Sequence, residues 1–181
     1  MPTLTREKVH ATMAAIRSND TKPERIVRRY LWAQGFRYRL NSPRLPGHPD
    51  MVLRKYRTCI FVNGCFWHGH EGCKHYTVPK TNTDFWTKKV ARNKARDHEV
   101  AVKLAKMKWH VITVWECELK GKQRDDTLRS LAFTLNRIWL EDHAVRYAPI
   151  EEEENIGIAA EYGPQDDGYI RDRTSEKTET M

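Results

Sequence analysis

No apolar run in this chain approaches the roughly 20 residues that a membrane-spanning helix needs, so a helical membrane span is not expected. The first twenty residues, MPTLTREKVHATMAAIRSND, lack an apolar core followed by a small-residue cleavage site. A secretory signal is therefore not expected, and the cytoplasm is the expected compartment. Cysteine is scarce, at four in 181 residues. That is too few for a disulfide scaffold, and the spacing of the four points to a metal instead. Internal repeats and low-complexity tracts are also missing. What remains is enough chain for one domain with its own core.

Charge is abundant and unevenly spread. Residues 1–140 hold 28 basic and 12 acidic side chains, and residues 141–181 hold 4 basic and 12 acidic. A body at +16 repels itself unless it meets a polyanion, and nucleic acid is the commonest one. The stretch 141–181, with its run Glu151 to Glu154 and interrupting glycines and proline, reads as an acidic, disordered tail. The expected division is a functional domain over 1–140 and this tail.

Periodicity predicts a first helix over residues 6–16. A second starts at Asn19-Asp20-Thr21, with Pro23 and Glu24 in its first turn and Gly35 at its end. Residues 36–40 alternate like a short strand, and 41–49, with three prolines and a glycine, form a loop. Met51-Val52-Leu53 is a short apolar strand, and residues 55–57 make a polar turn. Residues 58–62 (TCIFV) and 109–115 (WHVITVW) are strand-like apolar runs. A long helix fits 83–107, with Phe85, Trp86, Val90, Val100, Leu104 and Met107 on its apolar face, and a last helix fits 126–140. The order implies an α/β domain with a central mixed sheet flanked by helices.

The chemistry concentrates in residues 63–75, which contain two of the four cysteines and three of the eight histidines and follow directly on a buried strand. Cys65, His70 and Cys73 make a C-x4-H-x2-C spacing suited to Zn²⁺, which takes four such donors in structural sites. The fourth ligand must come from elsewhere, with Cys59, His68, His75 and Cys117 as candidates. Cys59 sits inside an apolar strand as a core residue would. Cys117 follows the WHVITVW strand. If that strand runs beside TCIFV, the two C-terminal ends meet, so Cys117 is preferred.

Asp50 closes the loop and opens a strand, where a carboxylate suits Mg²⁺ shared with a phosphate. His68 carries an imidazole, which suits deprotonation of an attacking water. Phe66 and Trp67 share a loop in which both cannot be well buried. Beside basic residues, such aromatics suit insertion between base pairs, and Trp86 is a candidate to join them.

These motifs together resemble the very short patch repair (Vsr) DNA mismatch endonucleases. The carriers are Gly64-Cys65-Phe66-Trp67-His68 followed by His70 and Cys73, the upstream Leu45-Pro46-Gly47 and Pro49-Asp50, the downstream Phe85-Trp86, and Trp115-Glu116-Cys117. The resemblance runs from about Thr5 to Leu140. It implies a restriction-endonuclease-like α/β fold and Mg²⁺-dependent nicking of one DNA strand, 5′ of the thymine in a T·G mismatch left by deaminated 5-methylcytosine. It places the Mg²⁺ ligands on Asp50 and the Val62 carbonyl and the water-activating histidine on His68. Glu24 is expected to orient His68 or a water on the metal. The resemblance puts zinc on Cys65, His70, Cys73 and Cys117, and the DNA wedge on Phe66, Trp67 and Trp86.

It further implies a monomer associated with the bacterial nucleoid, with mismatch-repair proteins as partners. Two departures stand out. Val62-Asn63 replaces the Thr-His of the best-known members, and Asn63 cannot exchange a proton near pH 7. One extra residue separates His70 from Cys73. The alternatives are a sequence-specific restriction-type endonuclease on the same fold and a non-catalytic zinc-stapled DNA-binding module.

Overall fold

The computed structural model describes residues 19–144, so the helix expected over 6–16 and most of the acidic tail lie outside the described residues. Helix α1 (Lys22–Ala33) starts with a capping box. The Glu24 N–H donates to the Thr21 hydroxyl, and the Thr21 N–H donates back to the Glu24 carboxylate at 3.3 Å. Val27 and Leu31, one turn apart, are fully buried. At the far end the Phe36 N–H returns to the Leu31 carbonyl at 2.9 Å, closing the helix.

The strands β1 (Arg39–Leu40), β2 (Met51–Leu53), β3 (Thr58–Asn63) and β4 (His110–Trp115) form one sheet in that order. The first two pairings are antiparallel and β3–β4 is parallel, so the sheet is mixed, as expected. The strand expected over 36–40 is shorter. Arg39 faces Val52, so Tyr38 would face Leu53, where β2 gives way to a single 3-10 turn (Arg54–Tyr56). Phe36 and Arg37 have no strand left to pair with. Phe36 turns into the core instead, and the Tyr38 hydroxyl donates to the Arg28 carbonyl at 2.9 Å.

Helix α2 (Thr83–Lys106) makes the crossover between β3 and β4, and α3 (Gln123–Asp142) follows β4. Strand alternation assigns the helices to faces. Met51, Leu53, Ile60 and Val114 pack with Val27 and Leu31 of α1 and with Leu128, Leu131 and Leu135 of α3. Val52 and Cys59 point the other way and pack with Leu104 of α2, beside Phe61, Val100 and Val111. The apolar face expected on α2 holds at Val90 and Leu104, but Phe85 is 59% and Met107 44% exposed. Gly47 brings the 41–49 loop against α2. A Cβ there would lie 2.5 Å from a Val100 methyl, and its φ of +75° also favours glycine.

Candidate active site

The parallel register of β3 and β4 builds the site. Asn63 pairs with Trp115, and the Glu116 N–H donates to the Asn63 carbonyl at 3.0 Å. The two strands therefore end level. Cys65 lies two residues beyond one end and Cys117 two residues beyond the other, which is why residues so distant in sequence meet.

At this end of the sheet lies a cleft of about 720 Å³. It brings together Asp50, Val62, Asn63, His68, Glu24 and Trp67 of the residues singled out from sequence, and adds Asp97, Arg96, His48 and Glu116. Asp50 accepts the Val62 N–H through Oδ2 at 2.7 Å, across the β2–β3 pairing. Burial pushes its carboxyl up to about 6, against the pull of that N–H, with Glu24 adding to the rise and Arg28 and His68 opposing it. The donor chemistry fits a hard divalent cation. Asp50 offers a desolvated carboxylate, which such an ion stabilises in its charged form, and Val62 lines the same cleft.

His68 is oriented by a residue that the sequence reading missed. Its Nδ1 lies 2.5 Å from Oδ2 of Asp97, on α2. A carboxylate only accepts, so Nδ1 carries a proton, which leaves Nε2 as the nitrogen of the neutral ring that can accept one. Of the two roles expected of Glu24, a hydrogen bond to His68 is not found. The Glu24 carboxylate is occupied by the Thr21 hydroxyl at 2.7 Å and by the backbone N–H groups of Asp20 and Thr21, and its side chain lies on the cleft wall without touching His68. A signal for Asp97 was present. Val90, Asn93, Asp97, Val100 and Leu104 recur at helical spacing, so Asn93 and Asp97 interrupt an otherwise apolar stripe. Asn93 proves equally engaged, donating its side-chain N–H to the Trp67 carbonyl at 2.8 Å.

Four aromatic rings gather beside the cleft. Phe66 lies 5.2 Å from Trp67 and 5.1 Å from Trp86, and Trp67 lies 5.9 Å from Trp86, all edge to face. Phe85, expected on the apolar face of the long helix and not in the wedge, extends the cluster from Trp86 at 5.2 Å and is largely exposed. Trp67 alone of the four lines the cleft.

Cys65, His70, Cys73 and Cys117 form a separate cluster whose potential ligand atoms all lie within 4.8 Å of one another. His70 Nδ1 faces the sulfurs of Cys65 at 3.5 Å and Cys117 at 3.4 Å. Its ring is stacked on Trp115 at 4.0 Å and 5°. Burial pushes the Cys65 thiol up to about 12, while the His75 N–H holds Cys73 below the usual thiol range. Three sulfurs and an imidazole converging this tightly can hold a soft or borderline metal ion. Cys59 is not among them. It is fully buried in the core, as its strand position implied. Gly69 lets the loop close, since a Cβ there would lie 2.6 Å from a Val90 methyl.

Comparison with known proteins agrees with these observations. A family model described as DNA mismatch endonuclease Vsr matches residues 1–75. A type II nicking enzyme of Neisseria meningitidis is 50% identical over 118 residues, covering 65% of this chain and 84% of the relative. A type II nicking enzyme of Xanthomonas oryzae is 44% identical, covering 64% and 85%. The DNA mismatch endonuclease Vsr of Escherichia coli is 41% identical, covering 62% and 71%. The chain is a DNA endonuclease and belongs to the Vsr family.

Proposed function

We propose that this protein nicks one strand of duplex DNA on the 5′ side of the thymine in a T·G mismatch, by Mg²⁺-dependent hydrolysis, within a catalytic unit of restriction-endonuclease type spanning residues 1–140. The observation that carries the proposal is the shared cleft. Asp50 and the His68–Asp97 pair line it together, and Trp67 joins it to the aromatic cluster.

The assigned roles follow from the chemistry of each group. Asp50 and the Val62 carbonyl would hold Mg²⁺. When bound, that ion stabilises negative charge on the phosphoryl oxygens. His68 accepts the proton of the attacking water at Nε2, because Asp97 fixes the proton on Nδ1 and stabilises the imidazolium that results. Asn63 hydrogen-bonds within the cleft without exchanging a proton, so the leaving oxygen takes its proton from solvent. Glu24 shapes the negative wall opposite. Phe66, Trp67 and Trp86 enter the duplex at the mismatch, where a weakened pair lowers the unstacking cost. Zn²⁺ on Cys65, His70, Cys73 and Cys117 takes no chemical part. It ties the loop carrying His68 to the end of β4. The protein works as a cytoplasmic, nucleoid-associated monomer, in contact with mismatch-repair proteins.

A second assignment has specific support: the Neisseria and Xanthomonas relatives are named type II nicking enzymes. On that view the chain would nick a matched sequence. Single-turnover nicking of T·G and matched duplexes of the same sequence, with and without Mg²⁺, separates the two. Faster nicking of T·G by at least tenfold is expected. Equal rates would favour the matched-sequence enzyme, and no nicking with Mg²⁺ would leave a DNA-binding module.

A further inference from the structure

Four carboxylates line the cleft, those of Glu24, Asp50, Asp97 and Glu116, yet the group that enters it on the reading above is a phosphate. Arg96 is the sole lysine or arginine among the described residues that line it. Its Nη2 lies 3.2 Å from Oδ1 of Asp97, whose Oδ2 meets His68. One carboxylate thus holds the imidazole and the guanidinium on the same wall. An exposed ion pair of this kind adds little stability, and the Arg96 side chain is 59% exposed. A guanidinium carries five N–H donors in a planar fork, so the pair with Asp97 leaves most of them free for a ligand.

Arg96 also ends a stripe. Phe85, Lys89, Arg92 and Arg96 recur at i, i+4, i+7 and i+11 along α2, hence on one face of it. Phe85 belongs to the aromatic cluster and flanks, with Arg92, a shallow depression of about 250 Å³. The stripe therefore leads from the aromatic cluster to the cleft. Arg92 and Arg96 stand one turn apart, about 6 Å along the axis, and both are exposed.

We propose that Arg96 and Arg92 bind two neighbouring phosphates of the DNA strand that enters the cleft, Arg96 beside His68 and Arg92 on the side of the aromatic cluster. The proposal rests on the cleft being the nicking site. A guanidinium fork matches the free oxygens of a phosphate, and its fixed charge offsets the repulsion that four carboxylates exert on an incoming anion.

Equilibrium binding of the zinc-loaded full chain to a T·G duplex, with Ca²⁺ in place of Mg²⁺, tests this. Single phosphates around the mismatch are replaced in turn by uncharged methylphosphonates. Arg96→Ala is expected to weaken binding of the unmodified duplex about tenfold, as for loss of one charge-assisted hydrogen-bonded contact. It is also expected to flatten the slope of log affinity against log salt by about 1, whereas Arg96→Lys keeps the parent's slope. On one modified duplex the parent should already be weakened about tenfold, and Arg96→Ala should lose nothing more. Arg92→Ala should behave in the same way on the duplex modified at an adjacent phosphate. An arginine that only braced Asp97 would slow nicking of bound DNA with affinity unchanged, or would weaken every duplex equally, and either result overturns the proposal. Coupling of the two arginines to phosphates that are not adjacent overturns it as well. A parent that nicks T·G and matched duplexes at equal rates would sink the mismatch reading alone, because the same series on matched DNA still decides the two arginines. A parent that binds neither duplex would sink both.

Discussion

His68 and Asp97 are hydrogen-bond partners although 29 residues separate them, one on the loop after β3 and the other deep in α2. The pairing fixes the tautomer of His68 and gives the imidazolium a counter-charge. Asp97→Asn is therefore expected to slow nicking about 10–100-fold, and His68→Ala about 10²–10⁴-fold. Single-turnover rates on one T·G duplex measure both. An Asp97→Asn rate equal to that of the parent would show that the contact has no part in catalysis.

The cysteine–histidine cluster makes a prediction about stability. Metal analysis should find about one zinc per chain. Cys117→Ala should lose the metal and roughly 3 kcal/mol or more of stability, while Cys59→Ala keeps the metal and loses about 1 kcal/mol. Chelation of the parent should mimic Cys117→Ala. Loss of metal from Cys59→Ala instead would place the fourth ligand in the core strand.

Asp50 gives a pH dependence with a definite sign. Burial pushes its carboxyl up to about 6 in the folded protein, from 3.8 for an aspartate in water. Between those values the native state holds a proton that the unfolded chain has released. Stability of the metal-free cleft therefore falls as pH rises from about 4 to 6 and stays lower above that. Asp50→Asn should be more stable than the parent at pH 7.5 by about 1–2 kcal/mol, allowing for partial solvent screening. The difference should vanish below pH 4. Urea unfolding across that range is the measurement, and an Asn variant less stable at pH 7.5 contradicts the expectation.

Trp67 belongs to both the aromatic cluster and the cleft. Trp67→Ala should slow nicking of a T·G duplex about 10–100-fold, in line with roughly 1–3 kcal/mol per stacked base. A matched duplex should be less affected, so the ratio of the two rates should fall. Equal slowing of both would mean that Trp67 supports the site without sensing the mismatch.

Much of this was legible in the sequence because it rests on local signals. Thr21, Pro23 and Glu24 mark the start of α1, and the apolar runs mark β3 and β4. The metal cluster was readable through one topological step, because side-by-side strands that end level bring Cys65 and Cys117 together. The strand over 36–40 was over-read because alternation shows amphipathicity but not whether a partner strand continues, and β2 stops at Leu53. The helical stripe from Val90 to Leu104 marks Asp97 as facing inward, but its partner is set by how α2 lies on the sheet, which no local pattern encodes. A contact of Glu24 with His68 was one of two roles expected of it, but its own capping box engages its oxygens.

The pairs Asn93–Trp67 and Asp97–His68 are one helical turn apart on the same rod. Two neighbouring residues of the loop, Trp67 and His68, thus hang from adjacent pegs. If the proposed roles hold, mismatch recognition and strand scission share a single rigid mount, with no separate relay needed to pass a signal from one to the other.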